Sequence, residues 1–244
     1  MKNIGLVIVA LVLAAGLYGA RSYFMPAPAA PGISSSPAAE PAAIPANLPS
    51  LENSDELFRL RAGALSPDPR LQSWLKQESL IPRLAAAMNM IANGRFPREI
   101  FAAFAPRGKF MVLRKNGGTF IDPAGFARYD AFAAMIGKVD AVAAAKVLEE
   151  LRPLFDAALR GLGERRLTLR EAFPAAAGEL LQTPLLEGDI PLRQGKVGIT
   201  WLYAEERFES RSLVQKQLMR MGPKNQAIVQ AKLRALTLAL GDGR

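Results

Sequence analysis

Seven prolines fall among the 24 residues from Pro26 to Pro49, at positions 26, 28, 31, 37, 41, 45 and 49, together with eight alanines and one charge, Glu40. Proline fixes φ, lacks an amide hydrogen and pushes the residue before it out of the helical region, so neither helix nor sheet can run through such a stretch. The chain is thereby divided into an N-terminal part at residues 1–25, a linker at 26–49 that can form no core, a part at 50–240 that must contain the fold, and a short flexible tail at 241–244. In extended polyproline II conformation the linker reaches at most ~75 Å, at about 3.1 Å per residue. Its length and composition set that reach, whatever the order of its residues.

The N-terminal part reads as an address. Between Lys2 and Arg21 the chain is uncharged, and Tyr23 and Phe24 follow. As a helix, Ile4 to Ala20 would be about 25 Å long, close to the roughly 30 Å of hydrocarbon it has to cross, with Arg21 snorkelling and the two aromatics at the interface. A cleaved signal peptide with Ala14-Ala15-Gly16 as its cleavage site is the competing reading. The anchor is preferred because the apolar run continues past that site into an aromatic belt. Lys2 and the terminal amine outweigh Arg21, which orients the chain with its N-terminus in the cytoplasm and the rest outside. The expectation is a single-pass inner-membrane protein with its domain in the periplasm.

Residues 50–240 are long enough for one substantial core, and half of the whole chain is hydrophobic. The pattern is mainly helical. Ser54 stands as a cap before Leu57, Phe58 and Leu65; Asp68-Pro69 pairs a cap with a first-turn proline before Leu71, Trp74 and Leu75. A helix around Pro82 carries Leu84, Ala87, Met88 and Ile91 and stops at Asn93-Gly94. The period then switches: Lys109 to Lys115 and Thr119 to Ile121, separated by Asn116-Gly117-Gly118, predict a β-hairpin. Asp122-Pro123 opens a helix through Phe126, Tyr129 and Met135, and Asp140 opens another that Pro153 breaks near Glu149 or Glu150. Thr168 to Glu171 and Ser212 to Gln215 match capping boxes. Ile190 to Leu192 and Val197 to Tyr203 predict strands that would extend the hairpin into a small sheet. Pro223 begins a terminal helix whose apolar positions are read as Ile228, Ala231, Ala235 and Leu238. The fold class is therefore mainly α, a multi-helix domain with a small antiparallel β-hairpin or sheet, preceded by a transmembrane helix.

The chain contains neither cysteine nor histidine. Thiolate and imidazole nucleophiles, Ser-His-Asp triads and cysteine or histidine metal sites are excluded with them. No cofactor is expected, no metal site, and no catalytic residue stands out. The carboxylates Asp122, Asp130, Asp140, Glu149, Glu150, Glu205, Glu206 and Glu209 leave a carboxylate-dependent hydrolase of the envelope as an alternative, for which two would have to face each other across a cleft. Asp122 and Asp140 are already explained as helix caps.

The 31 Lys and Arg exceed the 22 Asp and Glu by nine. Lys2, Arg21 and Glu40 leave only one of these before residue 50, so the surplus belongs to the folded part. Arg207, Arg211, Lys216, Arg220 and Lys224 recur at helical spacing and form a candidate basic surface for an anionic wall polymer or lipid. No nucleic-acid motif accompanies them, and no nucleic acid is expected as a partner. Gly161-Leu162-Gly163 lacks the remaining elements of a phosphate loop. Arg128, Tyr129 and Asp130 form a polar trio on an apolar segment; successive residues of a helix point about 100° apart, so the trio is expected to order a corner, with the Tyr129 ring buried.

Taken in order, Leu48-Pro49 through Ser54-Asp55, Leu80-Ile81 with Arg83, Asp122-Pro123 with Phe126-Ala127-Arg128-Tyr129-Asp130, and Arg220-Met221-Gly222-Pro223 with Asn225 resemble the domain-of-unknown-function family 3014 of Gram-negative bacteria. The resemblance covers about residues 48–240 and implies an N-terminal membrane segment and a proline-rich spacer. It carries over no catalytic residue. The function expected is a non-catalytic interaction or scaffold module of the envelope, held at the inner membrane and meeting an envelope protein not identified by the sequence, or an anionic polymer.

Overall fold

The computed structural model describes residues 44–163, 167–196 and 200–241. The expected anchor, most of the linker and residues 242–244 of the tail lie outside the described residues, while Gly241, expected in the tail, ends the last helix. Among those described, no helix is long and apolar enough to cross a membrane.

The first elements among the described residues are a short 3-10 turn at Leu51–Asn53 and helix α1 at Asp55–Gly63. Ser54 precedes α1, but its hydroxyl does not cap it: Oγ donates to the Leu51 carbonyl at 2.6 Å. Asp55 instead reaches forward to accept from the backbone of Ser79 and Leu80, both at 2.8 Å, at the start of α3. Helix α2 (Pro69–Trp74) has the expected Asp68 cap, whose carboxylate accepts from the Arg70 amide at 2.9 Å. Helix α3 (Leu80–Ala92) buries Leu84, Ala87, Met88 and Ile91 as the periodicity predicts, and Gly94 after it is left-handed at φ +68°.

Strands β1 (Val112–Lys115) and β2 (Gly118–Ile121) form the expected hairpin, with Lys115 opposite Gly118. The loop is the two residues Asn116 and Gly117, both at positive φ, which matches the strand twist. Beyond Asp122 the structure departs from the predicted continuous helix: Pro123–Tyr129 is a tighter 3-10 segment, and the α-helix α4 starts only at Asp130 and ends at Gly137. Helices α5 (Ala141–Glu150) and α6 (Arg152–Gly161) are divided at Leu151, where Pro153 removes an amide donor. Helix α7 (Leu169–Leu181) opens with the expected box: Glu171 accepts from the Thr168 amide at 2.8 Å.

Strands β3 (Leu192–Gln194) and β4 (Trp201–Tyr203) pair with each other, Leu192 opposite Tyr203. They do not extend the first hairpin into one sheet. The two ribbons touch through a bridge between Phe120 and Pro191 and the bond from the Ile121 amide to the Ile190 carbonyl at 3.0 Å. Pro191 has no amide hydrogen with which to continue the ladder.

Three helices close the chain: α8 (Glu206–Glu209), α9 (Leu213–Met219) and α10 (Pro223–Gly241). The second capping box is half made. Ser212 accepts from the Gln215 amide at 3.2 Å, while the Gln215 side chain goes to the Glu179 carbonyl at 3.0 Å. Helix α10 buries a different face from the one its apolar residues suggest. Its core positions are Asn225, Gln226, Val229, Gln230, Leu233 and Leu236, whereas Ala231 and Ala235 are exposed and Leu238 is 68% exposed. Two buried glutamines explain the rotation. Gln226 donates to the carbonyls of Thr183 and Pro184, both at 3.0 Å, and Gln230 to those of Leu180 at 3.1 Å and Thr183 at 2.9 Å. The Leu180 carbonyl also accepts from the Thr183 amide at 3.2 Å, whereas the Thr183 and Pro184 carbonyls lie beyond the end of α7, where the helix supplies no donor.

Helix α3 packs on α6 and α7, and α10 lies against α4, α5 and α7. Their apolar faces form one large core containing Phe58, Trp74, Tyr129 and Phe155. A second, smaller cluster of Ile121, Leu186, Ile190, Leu192, Tyr203, Phe208 and Met219 lies under the two β-ribbons.

Candidate functional site

The 3-10 segment sets the first half of the site. With three residues per turn, residues three apart point the same way, which aligns Phe126 and Tyr129 along one edge. The second half is the corner between α9 and α10, where Gly222 takes φ +80° and Pro223 starts the new helix. These two segments, widely separated in sequence, are built against each other.

Gly222 lies under the Phe126 ring so closely that a Cβ there would stand 2.4 Å from Phe126 Cγ. The Asn225 amide donates to Asp130 Oδ1 at 2.9 Å, to the Phe126 carbonyl at 3.1 Å and to the Met221 carbonyl at 3.2 Å. Tyr129 is buried, and its hydroxyl accepts from Arg128 at 3.1 Å and from Gln217 of α9 at 3.3 Å. Burial pushes the Tyr129 hydroxyl above its ordinary pKa, against the opposite pull of the Arg128 charge. Arg220 donates to the Trp201 carbonyl of β4 at 3.1 Å. Its guanidinium stands 5.4 Å from the centre of the Phe110 ring, and that of Arg128 stands 5.5 Å from the same ring. Arg128, Tyr129 and Asp130 therefore meet different partners, as the angular argument requires. With Arg220, Met221, Gly222, Pro223 and Asn225 they make a joint across the two apolar clusters, since Tyr129 and Met221 belong to the helical core and Phe126 and Met219 to the β-side one.

A cavity of about 550 Å³ opens on this joint, with Phe126, Leu186, Ile190 and Met221 among its apolar lining and Asp130, Lys224 and Asn225 among its polar lining. Asp189 lines it as well and forms an ion pair with Lys115. Ligand pockets commonly have this make-up, an apolar interior with a few polar groups.

Apart from Glu206, which is exposed on α8, the other candidate carboxylates are engaged in the frame. Asp122 and Asp140 cap helices as expected, each accepting from a backbone amide at 2.9 Å. Glu149 pairs with Arg152 and Arg170, and Glu150 pairs with Arg61 at 2.7 Å. Among the described residues no group of three or more carboxylates is placed to hold a metal ion.

The basic residues do not form one helical stripe. Arg207 sits on α8 and pairs with Glu205 at 2.7 Å; Arg211 is exposed in the turn after it. Lys216, on α9, is turned inward, with Nζ 2.7 Å from Glu209 Oε1 and 2.9 Å from the Glu209 carbonyl. Lys224 is exposed on α10, at the cavity. The four-residue spacing is real, but the turns at Ser210–Ser212 and Gly222 divide it among three helices.

The family model described as Protein of unknown function (DUF3014) matches residues 80–237, more than half of the chain. The chain belongs to this family. The match contains both segments of the joint, and the string from Leu48 to Asp55 precedes it. No curated protein and no solved structure matches. The DUF3014 region thus extends from α3, which is central to the helical core, into α10, which closes it. Phe110 and Gln217 belong to the site without having been legible in the sequence: neither falls on a cap, a turn or a repeated spacing.

Proposed function

We propose that this DUF3014 protein is a non-catalytic interaction module of the cell envelope, tethered by its N-terminal segment to the inner membrane and holding its domain in the periplasm. The observation that carries the reading is the cavity on the joint. Its carboxylates are held by internal bonds, Asp130 by Asn225 and Asp189 by Lys115. Carboxylates so held suit the rim of a docking site, with Phe126, Leu186 and Ile190 receiving an apolar anchor from a partner protein. The linker supplies the reach between bilayer and partner.

Two experiments test the two halves of this reading. Alkaline phosphatase fused after Met25 is expected to be active, and an inactive fusion in healthy cells would remove the periplasmic placement. Cross-linking in cells followed by pull-down is expected to recover a reproducible envelope protein that Ala127→Trp, which fills the cavity from an exposed position, no longer captures. Failure to recover any partner, or equal recovery with the tryptophan variant, would overturn the docking site.

A further inference from the structure

The two β-ribbons differ at their outer edges. On β4 the residues facing away from β3 are Trp201 and Tyr203, and both are covered. The Trp201 carbonyl accepts from Arg220 at 3.1 Å, and the Tyr203 amide donates to Glu209 Oε2 at 2.9 Å. On β1 the corresponding edge is open. The two-residue loop makes Lys115 and Gly118 a hydrogen-bonded pair, and bonded and non-bonded pairs alternate from there along the register. The Asp122 amide donates to the Met111 carbonyl at 3.2 Å, as that alternation requires. The backbone groups of Val112 and Arg114 therefore point away from β2. Among the described residues no strand lies on that side, and no hydrogen bond reaches those groups.

The side chains along this edge say what could cover it. Met111 and Leu113, two residues apart, share one face of the ribbon and are 44% and 39% exposed. Lys109 and Arg114 are exposed and carry no ion pair among the described residues, whereas Lys115 is paired with Asp189. Unneutralised cations on an edge disfavour a second copy of the same strand, which would bring like charge, and leave the free ladder groups to a strand of opposite charge. We propose that the β1 edge takes up an extended acidic segment of a partner protein as an added strand. The backbone of that segment pairs with Val112 and Arg114, a carboxylate opposite Arg114 meets its free guanidinium, and an apolar side chain opposite Leu113 covers the exposed face. None of Val112, Leu113 and Arg114 lines the joint cavity, so the two sites are tested separately.

The experiment is fluorescence anisotropy of a dye-labelled peptide, Glu-Val-Thr-Val-Glu-amide, titrated with the full chain in detergent micelles; the peptide reads alike in both directions and so fits either strand orientation. Saturable binding is expected. It should weaken about tenfold or more when the central threonine of the peptide is replaced by proline, which cannot donate to a ladder, and likewise in Arg114→Pro, which removes an outward amide that β2 does not use. Arg114→Glu should reverse the charge preference, losing about tenfold for the acidic peptide and binding Lys-Val-Thr-Val-Lys-amide in its place. Ala127→Trp, at the joint cavity, is expected to bind the acidic peptide as the unaltered chain does. Absence of saturable binding, equal binding of the proline peptide, or equal binding of the lysine peptide by the unaltered chain would overturn the proposal. Self-association of the chain that Arg114→Pro abolishes would place a second copy on the edge and overturn it as well.

Discussion

Asn225 donates its side-chain amide to the Asp130 carboxylate at 2.9 Å, across 95 residues of sequence. The same nitrogen serves the carbonyls of Phe126 and Met221, so one side chain ties the end of the 3-10 segment to the start of α10. Asn225 itself is 2% exposed. Replacing it by leucine takes the donor from the Phe126 and Met221 carbonyls beside this buried position, and from the Asp130 carboxylate at its exposed edge.

Asn225→Leu is therefore expected to destabilise the domain by about 1–3 kcal/mol, measured by urea denaturation. Asp130→Ala should cost less, because Asp130 is exposed and its carboxylate can be solvated. The double variant should cost less than the sum, with the shortfall measuring the coupling. Strict additivity would contradict the joint.

Gly222→Ala tests the close approach to Phe126. A left-handed φ costs an ordinary residue about 1–2 kcal/mol, and overpacking adds about 1–3 more. A Cβ placed 2.4 Å from Phe126 Cγ has no room without movement of the ring. A loss of at least about 2 kcal/mol is expected. Thermal melting of the variant within a degree of the original would show that the corner tolerates a side chain.

Gln230→Leu separates polar satisfaction from hydrophobic burial. By apolar pattern alone the change should help, since position 230 is 3% exposed in the main core. The structure opposes that gain: the carbonyls of Leu180 and Thr183 each lose one of two donors, the Thr183 amide and Gln226 remaining, at a cost of about 0.5–1.5 kcal/mol per bond. Chemical denaturation of the variant reads the sign directly.

These positions also mark where the sequence was legible. Caps with a fixed local grammar were read correctly at Asp68, Asp122, Asp140 and Thr168, as were the Asn116-Gly117 turn and the break before Pro153, because each depends on neighbours within a few residues. Hydrophobic periodicity failed on α10, where glutamines occupy the core face to satisfy carbonyls of α7. The Arg128-Tyr129-Asp130 corner was read as an ordering device, but its partners Gln217 and Asn225 come from distant helices, and nothing local in the sequence brings them together. The basic spacing from Arg207 to Lys224 misled for the converse reason, since turns interrupt the helix that the spacing assumes.

Stability should be flat across neutral pH, as no histidine titrates there. Arg70 holds the Asp68 carboxyl below its ordinary range, and Thr168 does the same for Glu171. Depressed carboxyls contribute stability above their ordinary pKa of about 4 and lose it as the pH falls through their lower folded values. Burial raises both Tyr129 and Tyr203, whose neutral forms the fold prefers; stability present below about pH 10 is therefore lost as the pH rises beyond it. Urea midpoints measured from pH 3 to 11 should form a plateau with two falling edges, and Asp68→Asn should flatten the acid edge.

The most direct measurement of the docking role is site-specific photocross-linking in living cells from Ala127, exposed at the joint cavity, and from Ala231, exposed on α10 away from it. An adduct of one reproducible size from position 127, absent from position 231 and lost when Lys224, exposed at the cavity, is replaced by tryptophan, is the expected result. No adduct from position 127, or the same adducts from both positions, would contradict a partner seated on the joint.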